Sequence, residues 1–255
     1  MKQFVVTPAA GKRLIGIAVA ELPEIKEVLE NGTLVIIAGS TNAYVAEEIL
    51  KKTAEKTEIP KGEFLRGVVL PPGISRSETG ILSGMENFFG DVVIKDGKFE
   101  KGKTIFDMLP ELKKDDMILK GANCLDLKER KAGVLIGHPE GGTIHAAVQA
   151  AVGKRTSLLV PIGLEKRVEE DIDSLAAFLN KKDASGPRLY PVPADVFTEL
   201  DAFEFLTGAE VTLAAAGGIC GAEGASWIVV EGSKEQEEKA QEIFDRIKNE
   251  PSFRL

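Results

Sequence analysis

Three short segments carry residue types that could handle a small anion, and each joins an apolar run to a polar turn. In the first, Val35-Ile36-Ile37-Ala38 runs into Gly39-Ser40-Thr41-Asn42, and a helix-period stretch follows at once. Small hydroxyl and amide residues would then stand at a helix start. There the first N–H groups lack partners and the helix dipole adds partial positive charge, which suits a phosphate or carboxylate. The plain alternative is an ordinary N-cap, since Ser, Thr and Asn all favour that position. In the second segment, Lys120-Gly121-Ala122-Asn123 ends an apolar run and Glu129 follows within a charge cluster, Lys128-Glu129-Arg130-Lys131. A lysine at a strand end could hold an anion or stabilise a developing enolate oxygen, and a glutamate brought beside the substrate could serve as a base. On composition alone the solvated surface charge is the better reading of Glu129. The third is Gly137-His138-Pro139-Glu140-Gly141-Gly142-Thr143. Its glycines permit close backbone approach, and His138 is an acid–base or hydrogen-bonding candidate, although a lone histidine is more often structural.

A fourth segment, Gly217-Gly218-Ile219-Cys220-Gly221-Ala222-Glu223-Gly224-Ala225, is glycine-rich but does not fit Gly-x-Gly-x-x-Gly and lacks a strand-to-helix context. Cys220 has no cationic neighbours in sequence to activate it. His145, inside the helix expected after 143, reads as packing or solvent-facing.

The elements that must position these residues follow from apolar period and turn chemistry. Apolar runs predict buried strands at Thr33 to Ala38, Met117 to Lys120 and Val134 to Ile136 and a further strand at Thr156 to Pro161, and Phe64 to Leu70 is another strand candidate. Helical spacing predicts helices at 9–20, 24–29, 42–56, 105–113, 143–152 and 165–180. Lys95-Asp96-Gly97-Lys98 predicts a hairpin turn between Asp91 to Ile94 and Phe99, and Pro71 to Gly80 reads as a loop. Strands alternating with helices imply an α/β protein: a Rossmann-like parallel sheet with helices on both faces. Asp183-Ala184-Ser185-Gly186-Pro187 marks an expected boundary between a ligand-binding domain at 1–183 and a small α+β, ferredoxin-like domain at 188–255. In the latter, Leu189 to Val192 is a strand, 195–207 a helix, Glu210 to Ala215 and Trp227 to Val230 strands, and 234–248 a helix.

Bulk composition narrows the partners. The 255 residues carry 32 basic and 40 acidic side chains, a net charge of −8, so a nucleic-acid partner is not expected. No apolar run approaches the ~20 residues needed to span a bilayer, so no membrane partner is expected either. Two cysteines without a CxxC and an N-terminus without a long apolar core fit a cytoplasmic protein. Two histidines without ligand spacing argue against a zinc site, and no cofactor is expected.

Strand-Gly39-Ser40-Thr41-helix resembles the phosphate-binding turn of ribose-5-phosphate isomerase A. Ile118-Leu119-Lys120-Gly121, with Glu129 nine residues beyond the lysine, resembles that family's Lys-Gly-Gly-Gly segment and its glutamate. The loop at 137–143 resembles the wider superfamily of that fold, which includes glucosamine-phosphate deaminases, CoA transferases and isomerases of methylthioribose phosphate. The resemblance implies a Rossmann-like domain plus a small α+β domain, and a scaffold that could form a homo-oligomer. It also implies that Lys120 binds substrate oxygen, that Glu129 shuttles a proton between C1 and C2 of an aldose–ketose pair, and that Asp107 supplies one further carboxylate. The chain departs from the family in two places: Gly121-Ala122-Asn123 replaces the triple glycine, and the second carboxylate near Asp107 is missing.

The expected function is therefore binding of a phosphorylated sugar or similar small anionic metabolite, as an aldose–ketose isomerase-like enzyme. Ser40, Thr41 and Asn42 would grip the phosphate. Gly39, Gly121, Asn123, His138, Gly141, Gly142 and Thr143 would complete the pocket. Two alternatives stand beside it: a non-catalytic metabolite sensor on the same scaffold, and acyl or CoA transfer through Glu140 or Glu223.

Overall fold

The most apolar runs become the innermost strands. In the computed structural model, which describes residues 1–53, 57–59, 61–67, 69–73 and 89–252, every residue of β2 (Thr33–Ile36) and β5 (Met117–Leu119) is buried. With β8 (Ser157–Pro161) and β10 (Asp195–Phe197) they form the parallel part of a six-stranded mixed sheet. The hairpin β3 (Val92–Lys95) and β4 (Lys98–Phe99) adds antiparallel strands, giving the order β10-β8-β5-β2-β3-β4. Its turn has positive φ at both Asp96 (48°) and Gly97 (74°), the conformation that matches hairpin twist.

The described residues hold eight α-helices: α1 (Pro8–Val19), α2 (Pro23–Asn31), α3 (Ser40–Leu50), α4 (Ile105–Met108), α5 (Gly142–Lys154), α6 (Ile172–Leu179), α7 (Glu199–Thr207) and α8 (Lys234–Ile247). None of them is long and apolar enough to cross a membrane. Helix α1 packs on α3 and α7, and α5 packs on α4 and β8. The α1–α3 contact is close because residue 16 is glycine. A Cβ there would stand 2.9 Å from the carbonyl carbon and oxygen of Tyr44. The larger apolar cluster includes Phe4, Leu14, Ile36, Ile118, Val160, Phe203 and Ile247, and a smaller one gathers Cys124, Ile172, Ala176 and Leu189 at α6.

Two small antiparallel sheets flank this frame. One has the order β1 (Lys2–Val6), β12 (Ser226–Glu231), β11 (Glu210–Ala216). The other has the order β6 (Cys124–Asp126), β7 (Lys131–Ile136), β9 (Arg188–Val192). The run at 134–136 therefore belongs to an antiparallel sheet rather than the parallel one. Only residues 120–130 separate β5 from β7, too few for a helical crossover, so the chain turns back as a hairpin instead.

The segment 188–255 does not keep a sheet to itself. Its strand β9 pairs with β7, β10 extends β8, and β12 pairs with β1. Other expectations shift for local reasons. Phe64–Gly67 and Val69–Leu70 form no strand, and Gly67 there has φ +66°. The helix expected at 105–113 stops at Met108, just before Pro110, where a proline cannot continue it. The one expected at 165–180 divides into a 3-10 turn, Leu164–Lys166, and α6, because Val168 N–H donates to the Leu125 carbonyl and draws the chain between them out along β6. Residues 195–197 pair as β10, and α7 begins only at a capping box between Thr198 and Asp201. Residues 54–56 of the expected 42–56 helix and 74–80 of the expected loop lie outside the described residues.

Candidate functional site

All four parallel strands end at the same edge of the sheet. The residues that follow them are Ile37–Ser40 after β2, Lys120–Asn123 after β5, Ile162–Lys166 after β8, and Thr198–Glu199 after β10. Ligands of open α/β sheets collect at this carboxyl edge. Here it is cross-linked by side chains. Asn42 Nδ2 donates to the carbonyls of Ile37 (2.8 Å) and Leu119 (3.0 Å), tying the ends of β2 and β5. Lys166 Nζ donates to the Ala122 carbonyl at 2.7 Å, tying the segments after β5 and β8.

Beside this edge lies a cavity of about 530 Å³, within the range of small-molecule sites. Lys120, Arg66 and Asn123 line one part of it, and the turn Gly137–Thr143 and the start of α5 line another. Phe106, Leu109, Val134, Ile136 and Ile144 supply apolar wall, and His138, Glu140, His145 and Gln149 add polar groups. Helix α5 opens at Gly141 (φ +81°) without a side-chain cap for its first N–H groups, and Gly141, Gly142, Thr143 and Ile144 all line the cavity. Glycine is required at 141 for a second reason: a Cβ there would fall 2.0 Å from His145 Nδ1. Arg188 clamps the turn from outside by donating to the carbonyls of Gly137 and His138, both at 2.9 Å. His138 Nδ1 accepts from Glu140 N–H (3.2 Å), which leaves Nε2 to carry the proton of the neutral ring.

Lys120 is the chemical centre of this cavity. Its backbone N–H donates to Leu159 (3.0 Å), fixing it between β5 and β8, and its side chain is 8% exposed. Burial pushes its ammonium down to about 8; nearby Asp91 opposes this, while Arg66 and Lys166 add to it. Asp91 does not pair with it closely. Its carboxylate is fully buried and accepts the N–H groups of Ala38 (2.9 Å) and Ile105 (2.8 Å). Burial raises the Asp91 carboxyl, against the pull of Arg66 and of those two backbone donors.

The charge row continues past Lys166. Lys12 Nζ lies 2.6 Å from Glu165 Oε1, and Lys12 and Lys166 together hold the Glu165 carboxyl below its ordinary value although burial alone would raise it. Glu199, 2% exposed, accepts Leu164 N–H at 2.9 Å; burial and the neighbouring Glu165 carboxylate push it up, so it keeps its proton. Arg66, Lys120, Lys166 and Lys12 thus face Asp91, Glu165 and a neutral Glu199. Basic side chains are concentrated at this edge of a chain of net charge −8, although burial lowers Lys166 as it lowers Lys120.

No family model matches the chain, and no curated protein and no solved structure matches it either. The site's chemistry is therefore read from its own geometry. That geometry brings together Lys120, Asn123, His138, Gly141, Gly142 and Thr143, all of which line the one cavity. Asn123 does so as a brace, its Oδ1 accepting Leu135 N–H (2.9 Å) and its Nδ2 donating to Gly67 (3.3 Å). The Gly39–Asn42 turn sits at the neighbouring strand end but does not line this cavity. Asn42 is fully buried and its Nδ2 donates to two backbone carbonyls, while its Oδ1 and the buried Thr41 hydroxyl have no hydrogen-bond partner among the described residues. Gly39 and Gly121 both face open space.

Two expected catalytic carboxylates stand elsewhere. Glu129 is exposed in the turn 127–130 of the β6–β7 hairpin, outside the cavity, where its N–H donates to Asp126 at 2.9 Å. The turn is anchored instead at the β10 end, where Arg130 donates to the Val196 carbonyl (2.8 Å) and pairs with Asp201 (2.9 Å), so the sequence interval does not put Glu129 in the cavity with Lys120. Asp107 is exposed and accepts the Thr104 N–H (2.8 Å) and hydroxyl (2.7 Å) as the third residue of a helix capping box. Of the glutamates considered for acyl transfer, Glu140 lines the cavity, and Glu223 caps Gly221 N–H in the exposed 217–225 loop. Arg66 and His145 are cavity residues that sequence reasoning did not assign. Arg66 lies in a segment with no local motif. His145 stands four residues after Gly141, the spacing that returns a side chain over a helix start.

Proposed function

We propose that this protein binds a small anionic metabolite, a phosphorylated sugar or a compound like it, at the carboxyl edge of a Rossmann-like α/β scaffold. The observation that carries this reading is the sharing of one cavity by Lys120 and the uncapped start of α5. An ammonium and a fan of helix N–H groups facing the same space favour an anion that reaches both. Arg66 adds a second positive charge, and the apolar wall accommodates the carbon skeleton. In an aldose–ketose isomerisation Lys120 would stabilise the enediolate oxygen, and the proton would travel on a cavity group, His138 or Glu140, rather than on Glu129. The exposed position of Glu129 favours a second reading, a sensor that holds its ligand without turning it over.

Calorimetric titration with inorganic phosphate and ribose 5-phosphate tests the binding. Lys120→Met should weaken it at least about tenfold, since a charge-assisted hydrogen bond contributes roughly 1.5–3 kcal/mol. Equal affinity in the two proteins removes the assignment. NMR detection of ribulose 5-phosphate separates enzyme from sensor. Glu129→Gln should leave both affinity and any turnover unchanged, and turnover lost in that variant would restore the glutamate to the mechanism.

A further inference from the structure

Lys120 differs from the other lysines at the sheet edge in what its amine touches. Lys12 is paired with Glu165 and also donates to the Pro8 carbonyl at 3.3 Å. Lys166 is held by the Ala122 carbonyl. Among the described residues, Lys120 Nζ forms no ion pair, and its hydrogen bond is a long one, 3.4 Å to the carbonyl of the next residue. The nearby carboxylate of Asp91 has its oxygens committed to two backbone N–H groups. The amine therefore faces the cavity with little to hold it as an ammonium and with Arg66 and Lys166 close enough to disfavour that form. Desolvation beside other cations is a recognised way to make a lysine nucleophilic.

We propose that Lys120 is an amine nucleophile that forms an imine with the aldehyde or ketone group of an anionic ligand bound in this cavity. The proposal rests on the anion-binding reading above, with the anion at Arg66 and the α5 start and the carbonyl carbon at Nζ. The lysine lone pair attacks the carbonyl carbon, and the carbonyl π pair moves to oxygen, which takes up a proton. The nitrogen gives up one proton to form the neutral carbinolamine, and a second proton then lets the oxygen leave as water as the nitrogen lone pair closes the C=N bond, giving the protonated imine. The balance is one amine, one carbonyl and one proton going to one protonated imine plus one water, with no oxidant or reductant. His138, Glu140 and His145 line the same space and can carry the protons. At a pKa of about 8 roughly a tenth of the side chain is free amine at pH 7, against about one part in three thousand at the ordinary value of 10.5.

The test incubates the full chain at pH 7 with dihydroxyacetone phosphate and sodium cyanoborohydride, which reduces an imine to a stable secondary amine. Intact mass and peptide mapping then locate the adduct. One adduct per chain on Lys120 is expected, suppressed by glycerol 3-phosphate, which has the phosphate without the carbonyl. Uncharged dihydroxyacetone should label Lys120 at least about tenfold less. Lys120→Arg keeps the charge and should give no adduct, and because mapping is done on the unaltered chain the result does not depend on that variant folding. Labelling spread over surface lysines with no preference for Lys120 overturns the proposal. If glycerol 3-phosphate binds by calorimetry but dihydroxyacetone phosphate gives no adduct at Lys120, the imine is refuted and the anion site stands. If neither phosphate binds and no adduct forms, both fail.

Discussion

Replacing Lys120 by Met should stabilise the protein at neutral pH, although it deletes a charged group from the candidate site. The lysine is 8% exposed, and its ammonium falls from 10.5 to about 8, a difference of about 2.5. Each unit corresponds to about 1.4 kcal/mol, so keeping the charge at pH 7 costs the fold on the order of 3 kcal/mol. Methionine retains the packing of the aliphatic stem without the ammonium. The sign is fixed by proton uptake. Between the folded and unfolded values the unfolded chain holds the proton and the folded chain does not, so wild-type stability rises from pH 8 towards 10.5. The advantage of the variant should therefore be about 2–3 kcal/mol at pH 7, or roughly 5–10 °C in melting temperature, and should shrink towards zero near pH 10. Urea unfolding of both proteins at pH 7 and pH 10 measures this. A variant less stable than wild type at pH 7, or a difference that does not change with pH, would refute the argument that Lys120 is a desolvated cation without a close counter-charge.

Three other substitutions probe the frame around it. Asp91→Ala orphans the N–H groups of Ala38 and Ile105 in the interior and should cost about 3 kcal/mol or more in chemical denaturation. Gly16→Ala forces a Cβ to 2.9 Å from the Tyr44 carbonyl and should lose about 1–3 kcal/mol by separating α1 from α3. A change within measurement error at either position would contradict the packing described. Glu199→Gln replaces a neutral carboxyl by a neutral amide. Because the folded carboxyl is raised above 4.5, wild-type stability is present at low pH and is lost as pH climbs through the folded value. The variant should lack that loss, and parallel pH profiles for the two proteins would exclude the protonated state of Glu199.

Much of this frame is legible in the chain. The runs at 34–38, 117–119 and 158–161 are apolar at every successive position, as strands covered on both faces tend to be, and they form the bodies of β2, β5 and β8. Asp96-Gly97 specified its turn through the two positive φ values that only such residues adopt readily. The missed strands have weaker local signals. In β1 only Phe4 and Val6 are buried, and the partner strand lies more than two hundred residues away. In β6 three residues depend on pairing with β7. The candidate site was half visible: Lys120 and the 137–143 turn follow apolar runs, and their meeting is what a sheet edge produces. Arg66 and the grouping of Lys12, Glu165 and Glu199 arise from tertiary packing, which no spacing encodes. Asn42 shows the same limit, since its side-chain nitrogen serves two strand-end carbonyls, a tertiary role that a turn pattern does not encode.

The pairing of β1 with β12 has a consequence for synthesis. Lys2 to Val6 leave the ribosome more than two hundred residues before the strand that completes their hydrogen bonding, Ser226–Glu231. During translation the opening strand waits with its backbone donors and acceptors unmatched, and with Phe4 lacking the aromatic neighbours Phe203 and Phe244. Ribosome-stalled chains ending before Ser226 should then be cut readily by protease near residue 4, and protection should appear abruptly once β12 has cleared the exit tunnel.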